Sequence, residues 1–345
     1  MKLNEHYNEV IKRIDKLNFN ALWKGFKPLK FALYNDKECY FDGHYIPKTN
    51  QFLANTSILF EDSYIAIWNV MEDTIDYDVL TSKIVHEMFH GYQYTNNESR
   101  FPNEIEVLQN YCYSSNNLSL KWKENQLINE LINLFNRDTF IKLLQIRKRR
   151  SKEFSYEFSY ESAIEQIEGT ANFVEMEVLK SLSFDTYQKA LKSMQESIIN
   201  KKRLIPIRVI SYSIGALMTK ILKDNQLMDY EFFDSDTISH RLINNIEPFD
   251  SPIMIDEQIE EAITMYTDQT INMVNSSIKA NQCVLNGEYV LMGVNVYNAR
   301  FWNNYIVSTY FVAYESNGKN EILYGDYVVH LNNHGKVDSC YRLIL

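Results

Sequence analysis

The pattern of apolar and polar positions divides this chain into three textures. Residues 1–72 open on a helix that carries charges throughout, Lys2 to Leu17, and continue with short β-like runs at Phe31–Tyr34, Ser57–Phe60 and Ser63–Trp68. Residues 73–282 are dominated by the 3.6-residue period of amphipathic helices. Leu80, Ile84, Val85, Met88, Phe89 and Tyr92 mark one helix, and Ala163, Ile164, Ile167, Ala171, Val174 and Val178 a second. A third runs through Leu222 from Pro206, whose locked backbone suits a first helical residue. Residues 283–345 switch to period-two, aromatic-rich runs at Cys283–Tyr297, Asn304–Tyr314, Glu321–Leu331 and Val337–Leu345, with turns at Ser316–Lys319 and Asn332–Gly335. The expectation is an α+β protein. An N-terminal helix and small β-sheet (1–72) are expected to form one domain with the mainly helical stretch (73–282), and a C-terminal antiparallel β module follows (283–345).

Composition narrows the function. Of 345 residues, 45% are hydrophobic, enough for a sizeable core, and the formal charge is −10. Glycine is scarce, 10 residues against an average usage of roughly 7%. No two glycines are separated by a single residue, so the G-x-G dinucleotide fingerprint and the phosphate-cradling loop are both absent. The acidic balance argues against a nucleic-acid partner. The two basic clusters, Arg147–Arg150 and Lys201–Arg203, read as solvated helix ends. Four scattered cysteines without a C-x-x-C predict reduced, mostly packed thiols. No apolar run approaches the ~20 residues that span a bilayer, and the first helix has no apolar signal core, so a cytoplasmic protein without membrane association is expected.

The chemistry concentrates in Val85-His86-Glu87-Met88-Phe89-His90-Gly91. Histidines four apart on a helix project from one face and can share a metal, and a glutamate beside them can take a proton from metal-activated water. Met88 and Phe89 point to the core, which turns His86 and His90 away from it. Zinc in such a catalytic site takes three protein ligands and leaves a fourth position open. For the third ligand, the downstream helix offers Glu161, Glu165, Glu168, Asn172 and Glu175 on a common face, and periodicity alone leaves the choice open.

The run Glu168-Gly169-Thr170-Ala171, followed by Glu175, resembles the third-ligand helix of the gluzincins, in particular zinc aminopeptidases of the aminopeptidase N type. The segment Ile210–Ala216 resembles the one that carries that family's catalytic tyrosine. The resemblance implies that Glu168 completes the zinc ligands and that Tyr212 donates its hydroxyl to the developing oxyanion. There are departures. A long, helical insertion (about 96–155) separates His90 from Glu168, and Ile214 stands where the tyrosine motif has a basic residue. The segment that grips a free N-terminus has only an echo, without its glycine, in Asn69–Asp73.

The expected function is that of a zinc-dependent metallopeptidase acting on a peptide or protein substrate. His86, His90 and Glu168 would hold zinc, with Glu87 as general base and Tyr212 as oxyanion donor. Two alternatives stay open: a non-peptide zinc hydrolase, and a binding or scaffold protein with a structural zinc site. Asn172 is a candidate to orient a ligand histidine, and Glu165 to bind a substrate amine, as Glu161 would if it were not simply solvated. Tyr64–Trp68 reads equally as a substrate-pairing edge strand or an ordinary core strand. The β module is expected to bind a partner or to mediate self-association. His44, His240, His330 and His334 lack metal-ligand spacing. Gly91, Gly169 and Gly215 each fall inside a proposed motif, and glycine within helices costs stability, which predicts close helix approach around the site.

Overall fold

A computed structural model describes residues 2–71, 75–228 and 236–344. The chain opens with α1 (Leu3–Ile14) and α2 (Phe19–Leu22), followed by β1 (Phe31–Tyr34), β2 (Cys39–Phe41), β3 (His44–Ile46), β4 (Thr56–Phe60) and β5 (Ser63–Asn69). A helical stretch follows, with α3 (Tyr77–Thr95), α4 (Glu104–Asn110), α5 (Ser115–Asn133), α6 (Arg137–Glu153) and α7 (Ser155–Ile164). A single π turn (Glu165–Gly169) leads into α8 (Thr170–Leu182), α9 (Phe184–Ile198), α10 (Ile207–Asp224), α11 (Ile238–Leu242) and α12 (Glu257–Ala280). The C-terminal strands are β6 (Cys283–Val294), β7 (Arg300–Trp302), β8 (Tyr305–Ser308), β9 (Phe311–Ser316), β10 (Lys319–Tyr324), β11 (Tyr327–Leu331) and β12 (Val337–Arg342). The architecture is mixed α and β, about 51% helical, with one sheet of five strands and one of seven. The expected break between residues 72 and 73 falls outside the described residues, as do Glu72 and Asp73 of the N-terminus-gripping echo.

The first sheet has the order β3-β2-β1-β5-β4, with β1 and β5 parallel and the other pairs antiparallel. β5 is therefore an interior strand, and the edge falls to β4. The edge-strand reading of Tyr64–Trp68 is corrected, because Ile65, Ala66 and Ile67 are buried, which suits a strand flanked on both sides. α3 lies against this sheet, and Gly91 permits the approach, since an added Cβ would come within 2.4 Å of the Leu29 side chain and 2.7 Å of Ser57 Oγ. Gly91 thus admits a sheet-to-helix approach, not the helix-to-helix one expected of it. The start of α3 is fixed by Asp76, whose side chain accepts from the backbone N–H groups of Asp78 and Val79.

The helix read through Ala163–Val178 is not one regular helix. Its π turn at Glu165–Gly169 holds more than 3.6 residues, so the residues before it are rotated relative to those after it. The rotation separates the glutamates that regular spacing placed on one face. Glu161 and Glu165 turn into a buried cluster with Lys121, Glu124, Arg147 and Arg150, all 4% exposed or less. Arg147 and Arg150 are therefore not a solvated helix end, and Glu161 is not a solvated acid. Both corrections have the same cause: three cations and three carboxylates satisfy one another where α5, α6 and α7 meet.

α10 crosses the π turn at backbone contact. A Cβ on Gly169 would lie 2.5 Å from Gly215 Cα, and one on Gly215 would lie 2.5 Å from the Glu165 carbonyl oxygen. Here the glycines do permit the close helix approach read from the sequence. Pro206 caps α10 from outside its first turn and is not the first helical residue.

The C-terminal sheet is antiparallel throughout, in the order β10-β9-β6-β12-β11-β8-β7. Two of the expected long strands are each broken in two. Tyr310, at φ 70°, separates β8 from β9, and Gly325, at φ 129°, separates β10 from β11. The module has its own small core around Leu291, Ile306, Val329 and Val337, against which Ile105 and Leu108 of α4 also pack. Val274 of α12 joins Val307 and Val328 beneath the sheet. Among the described residues, no helix is long and apolar enough to cross a membrane.

Candidate metal centre

His86 and His90 lie one turn apart on α3 with their Nε2 atoms 3.1 Å from each other. Glu168, in the π turn, places Oε2 3.4 Å from His90 Nε2 and 3.9 Å from His86 Nε2. A tetrahedral zinc with bonds of about 2.0–2.1 Å sets its ligand atoms about 3.3–3.4 Å apart. The three observed separations bracket that spacing, and among the described residues this is the group of His, Cys, Asp and Glu side chains placed to hold a metal ion. The donor set, two imidazoles and one carboxylate, is one zinc accepts. Two imidazole lone pairs and a carboxylate oxygen aimed at one point need a proton or a cation between them. Burial alone would pull the His90 imidazole down, but the hydrogen bond and charge of Glu168 outweigh it and raise its pKa to about 9. Burial would raise Glu168, yet His90, His86 and Arg208 hold it at about 2.

The far side of each ligand is also engaged, which fixes the direction of its lone pairs. His90 Nδ1 donates to Gln93 Oε1 at 2.8 Å, leaving Nε2 as the free acceptor. Gln93 in turn donates from Nε2 to the Ile167 carbonyl at 2.9 Å and to Thr170 Oγ1 at 3.1 Å. One amide therefore ties a ligand on α3 to the turn that carries Glu168. His86 Nδ1 faces Glu175 Oε2 at 3.2 Å. Glu175 is itself paired with Lys83 at 2.7 Å. Arg208 of α10 holds the second carboxylate oxygen of Glu168 at 3.2 Å and also pairs with Glu104.

These residues line an open cleft of about 550 Å³ that also contains Glu87, Asn172, Tyr94, Tyr212 and Tyr297. Glu87 occupies the cleft side of α3, as its place beside His86 predicts. Tyr212 lies on α10 one turn before Gly215, with its buried hydroxyl beside Tyr297. Burial and the nearby Glu168 charge push its pKa far above the ordinary phenol value, so it stays a proton-bearing donor. Arg208 sits over its ring, 5.4 Å from the centroid.

The structure brings together His86, Glu87, His90, Glu168 and Tyr212 as the sequence predicts. Asn172 lines the same cleft, but the group facing His86 Nδ1 is Glu175, so the orienting role expected of Asn172 belongs to the carboxylate one turn further on. Glu165 is excluded from the cleft. It is locked between Lys121 at 3.1 Å and Arg147 at 2.5 Å, and it cannot reach a substrate amine. Several residues were missed. Gln93 and Arg208 carried a usable signal, being three residues after His90 and four before Tyr212 on their helices. Tyr297 carried none. It comes from the loop between β6 and β7 and packs edge-on against Tyr212, ring centroids 6.3 Å apart.

The β module therefore supplies part of the cleft wall. Comparison of the chain with family models, with curated proteins and with solved structures finds no match in any of the three.

Proposed function

We propose that this chain is a zinc-dependent metallopeptidase with a gluzincin-like arrangement of its site, on a zincin-like domain. The observation that carries the reading is the convergence of His86, His90 and Glu168 at tetrahedral ligand spacing on the wall of an open cleft. The openness favours a catalytic site over a structural one, because structural zinc sites close all four positions with protein. Glu87, Glu168 and Glu175 face the cleft together with Lys83, and Arg208 stands behind Glu168.

His86, His90 and Glu168 would hold the zinc, which supplies Lewis acidity for the scissile carbonyl and lowers the pKa of water. Glu87, beside the ligands and open to the cleft, takes the proton from the attacking water and delivers it to the leaving amine. Tyr212 donates its hydroxyl to the oxyanion that develops on the carbonyl. Arg208 keeps Glu168 presenting one oxygen to the ligand triad by occupying the other. Gln93 and Glu175 keep the imidazoles aimed.

The test is metal analysis together with peptide-mixture digestion, comparing wild type and Glu87→Gln. The expected result is one zinc per chain in both proteins, with turnover lower by about 10³-fold in the variant. Equal cleavage by both proteins removes Glu87 from the mechanism, and no metal uptake by either removes the zinc site.

A further inference from the structure

We infer that the centre acts on internal bonds of an extended polypeptide segment, with apolar side chains seated on both sides of the scissile bond; this rests on the peptidase reading above. The metal cleft is not a closed pocket. It shares Asn55, Trp68 and Lys83 with a second cavity of about 530 Å³, walled by Met71, Ile75 and Val79. On the other side it shares Phe101 with a third cavity of about 420 Å³, walled by Pro102, Val107 and Tyr156. Each compartment alone has the size of a small-molecule site, ~300–1,000 Å³. The two outer cavities flank the ligand triad on opposite sides, an arrangement that would form a trough for a chain passing over the centre.

The walls say what kind of chain. The compartment on the Met71 side is lined chiefly by apolar side chains, including Met71, which is 82% exposed, while the compartment on the Phe101 side mixes Phe101, Pro102, Val107 and Tyr156 with polar and charged groups. The Phe101 side is stiffened by a stack of rings, Tyr64 on Tyr94 at 5.1 Å and Tyr94 on Phe101 at 4.8 Å. The edge strand β4 reaches the cleft at Thr56, so unpaired backbone groups border the trough where an extended segment can add to the sheet.

Capture of a free N-terminus needs a carboxylate left over for the ammonium. The carboxylates described in the cleft are committed elsewhere, and Glu72 and Asp73 of the N-terminus-gripping echo lie outside the described residues. Glu175 is held by Lys83 and His86, Glu168 by Arg208 and His90, and Glu87 is the proposed base. Glu161 and Glu165, the residues nominated for that task from the sequence, are sealed in the ion cluster.

The experiment incubates the full-length zinc-loaded protein and its Glu87→Gln variant with N-acetylated, C-amidated peptides and their free-ended counterparts, and reads the cuts by mass spectrometry. The expected result is Glu87-dependent cleavage at internal bonds of blocked and free peptides alike, with apolar residues on both flanks of the cut. Met71→Lys and Phe101→Lys, placed at opposite ends of the trough, are each expected to lower kcat/KM about tenfold on apolar-flanked peptides and to shift preference toward acidic residues on one side of the cut. Zinc content reports that each variant is folded. Glu87-dependent release of single residues from free N-termini, with blocked peptides untouched, overturns this inference while leaving the peptidase reading in place. Internal cuts whose flanking preference neither lysine variant moves overturn the trough. Absence of any Glu87-dependent cut overturns the peptidase reading itself.

Discussion

Two groups of charged side chains hang from one run of backbone, α7 through α8, and they differ in closure. Up to the first residue of the π turn, Glu161 and Glu165 meet Lys121, Arg147 and Arg150, with Glu124 completing the set, and the six are sealed from water. From the fourth residue of that turn onward, Glu168 and Glu175 meet His86 and His90 on the wall of a cleft. The first group answers every carboxylate with a cation. The second gathers two imidazoles and a carboxylate at one place on the cleft wall. Charged residues at helical spacing look alike in sequence; balance and burial mark the one set as scaffold, and access marks the other as site.

Three experiments probe that contrast. The largest effect is expected from Arg147→Met, which strands Glu165 and Glu124 without their guanidinium in a buried setting. Breaking such a pair costs about 3–5 kcal/mol, read as a lower midpoint in thermal or denaturant unfolding, with zinc affinity little changed in the folded protein. A parallel collapse of zinc affinity would show that the two groups are coupled through the π turn and would sink the separation drawn here. Next comes Gln93→Leu, which removes the support of His90 and its tie to Ile167. Loss of such outer support typically weakens metal binding by about 10–100-fold, measurable by competition with a chelator, and an unchanged zinc affinity would demote Gln93 to a packing residue.

The smallest effect is a pH dependence of the closed group. Burial would raise Glu161, but Arg150 and Lys121 outweigh it and lower its pKa from 4.5 to about 2. A depressed carboxylate contributes stability that is full above the unfolded value and is lost as pH falls through the folded one. The Glu161 contribution should therefore hold from neutrality down to about 4.5 and fade toward about 2. Comparing acid unfolding of wild type with Glu161→Gln checks it, and identical acid limbs for the two proteins would contradict it.

How much of this was legible depends on range. The pairing of His86 with His90 was readable because a helix converts a four-residue spacing into a shared face, whatever the helix packs on. The helical and strand zones were readable for the same reason, through their periods. The fate of the glutamates was not readable, since a π turn leaves the apolar stripe almost intact while rotating Glu165 away from Glu168. Arg147 and Arg150 were misread because a run of basic residues looks solvated until distant acids from α5 and α7 are brought to it. The break of the C-terminal runs at Tyr310 and Gly325 was hidden by continuous β-prone composition on either side. Gly169 and Gly215 fared better: in a chain so poor in glycine, placement within helices anticipated backbone contact, although Gly91 serves the sheet instead.

By itself the sequence determined the local geometry: which stretches are helix or strand, which side of α3 carries His86, Glu87 and His90, and where bulk must be missing for helices to touch. Only the tertiary structure decided which acids face the metal position and which are spent on buried cations. It alone placed Arg208 behind Glu168, set β4 and not β5 at the sheet edge, and swung Tyr297 of the β module against Tyr212. The physical reason is that periodicity orients a side chain relative to its own element, whereas charge pairing and cleft walls depend on which elements meet.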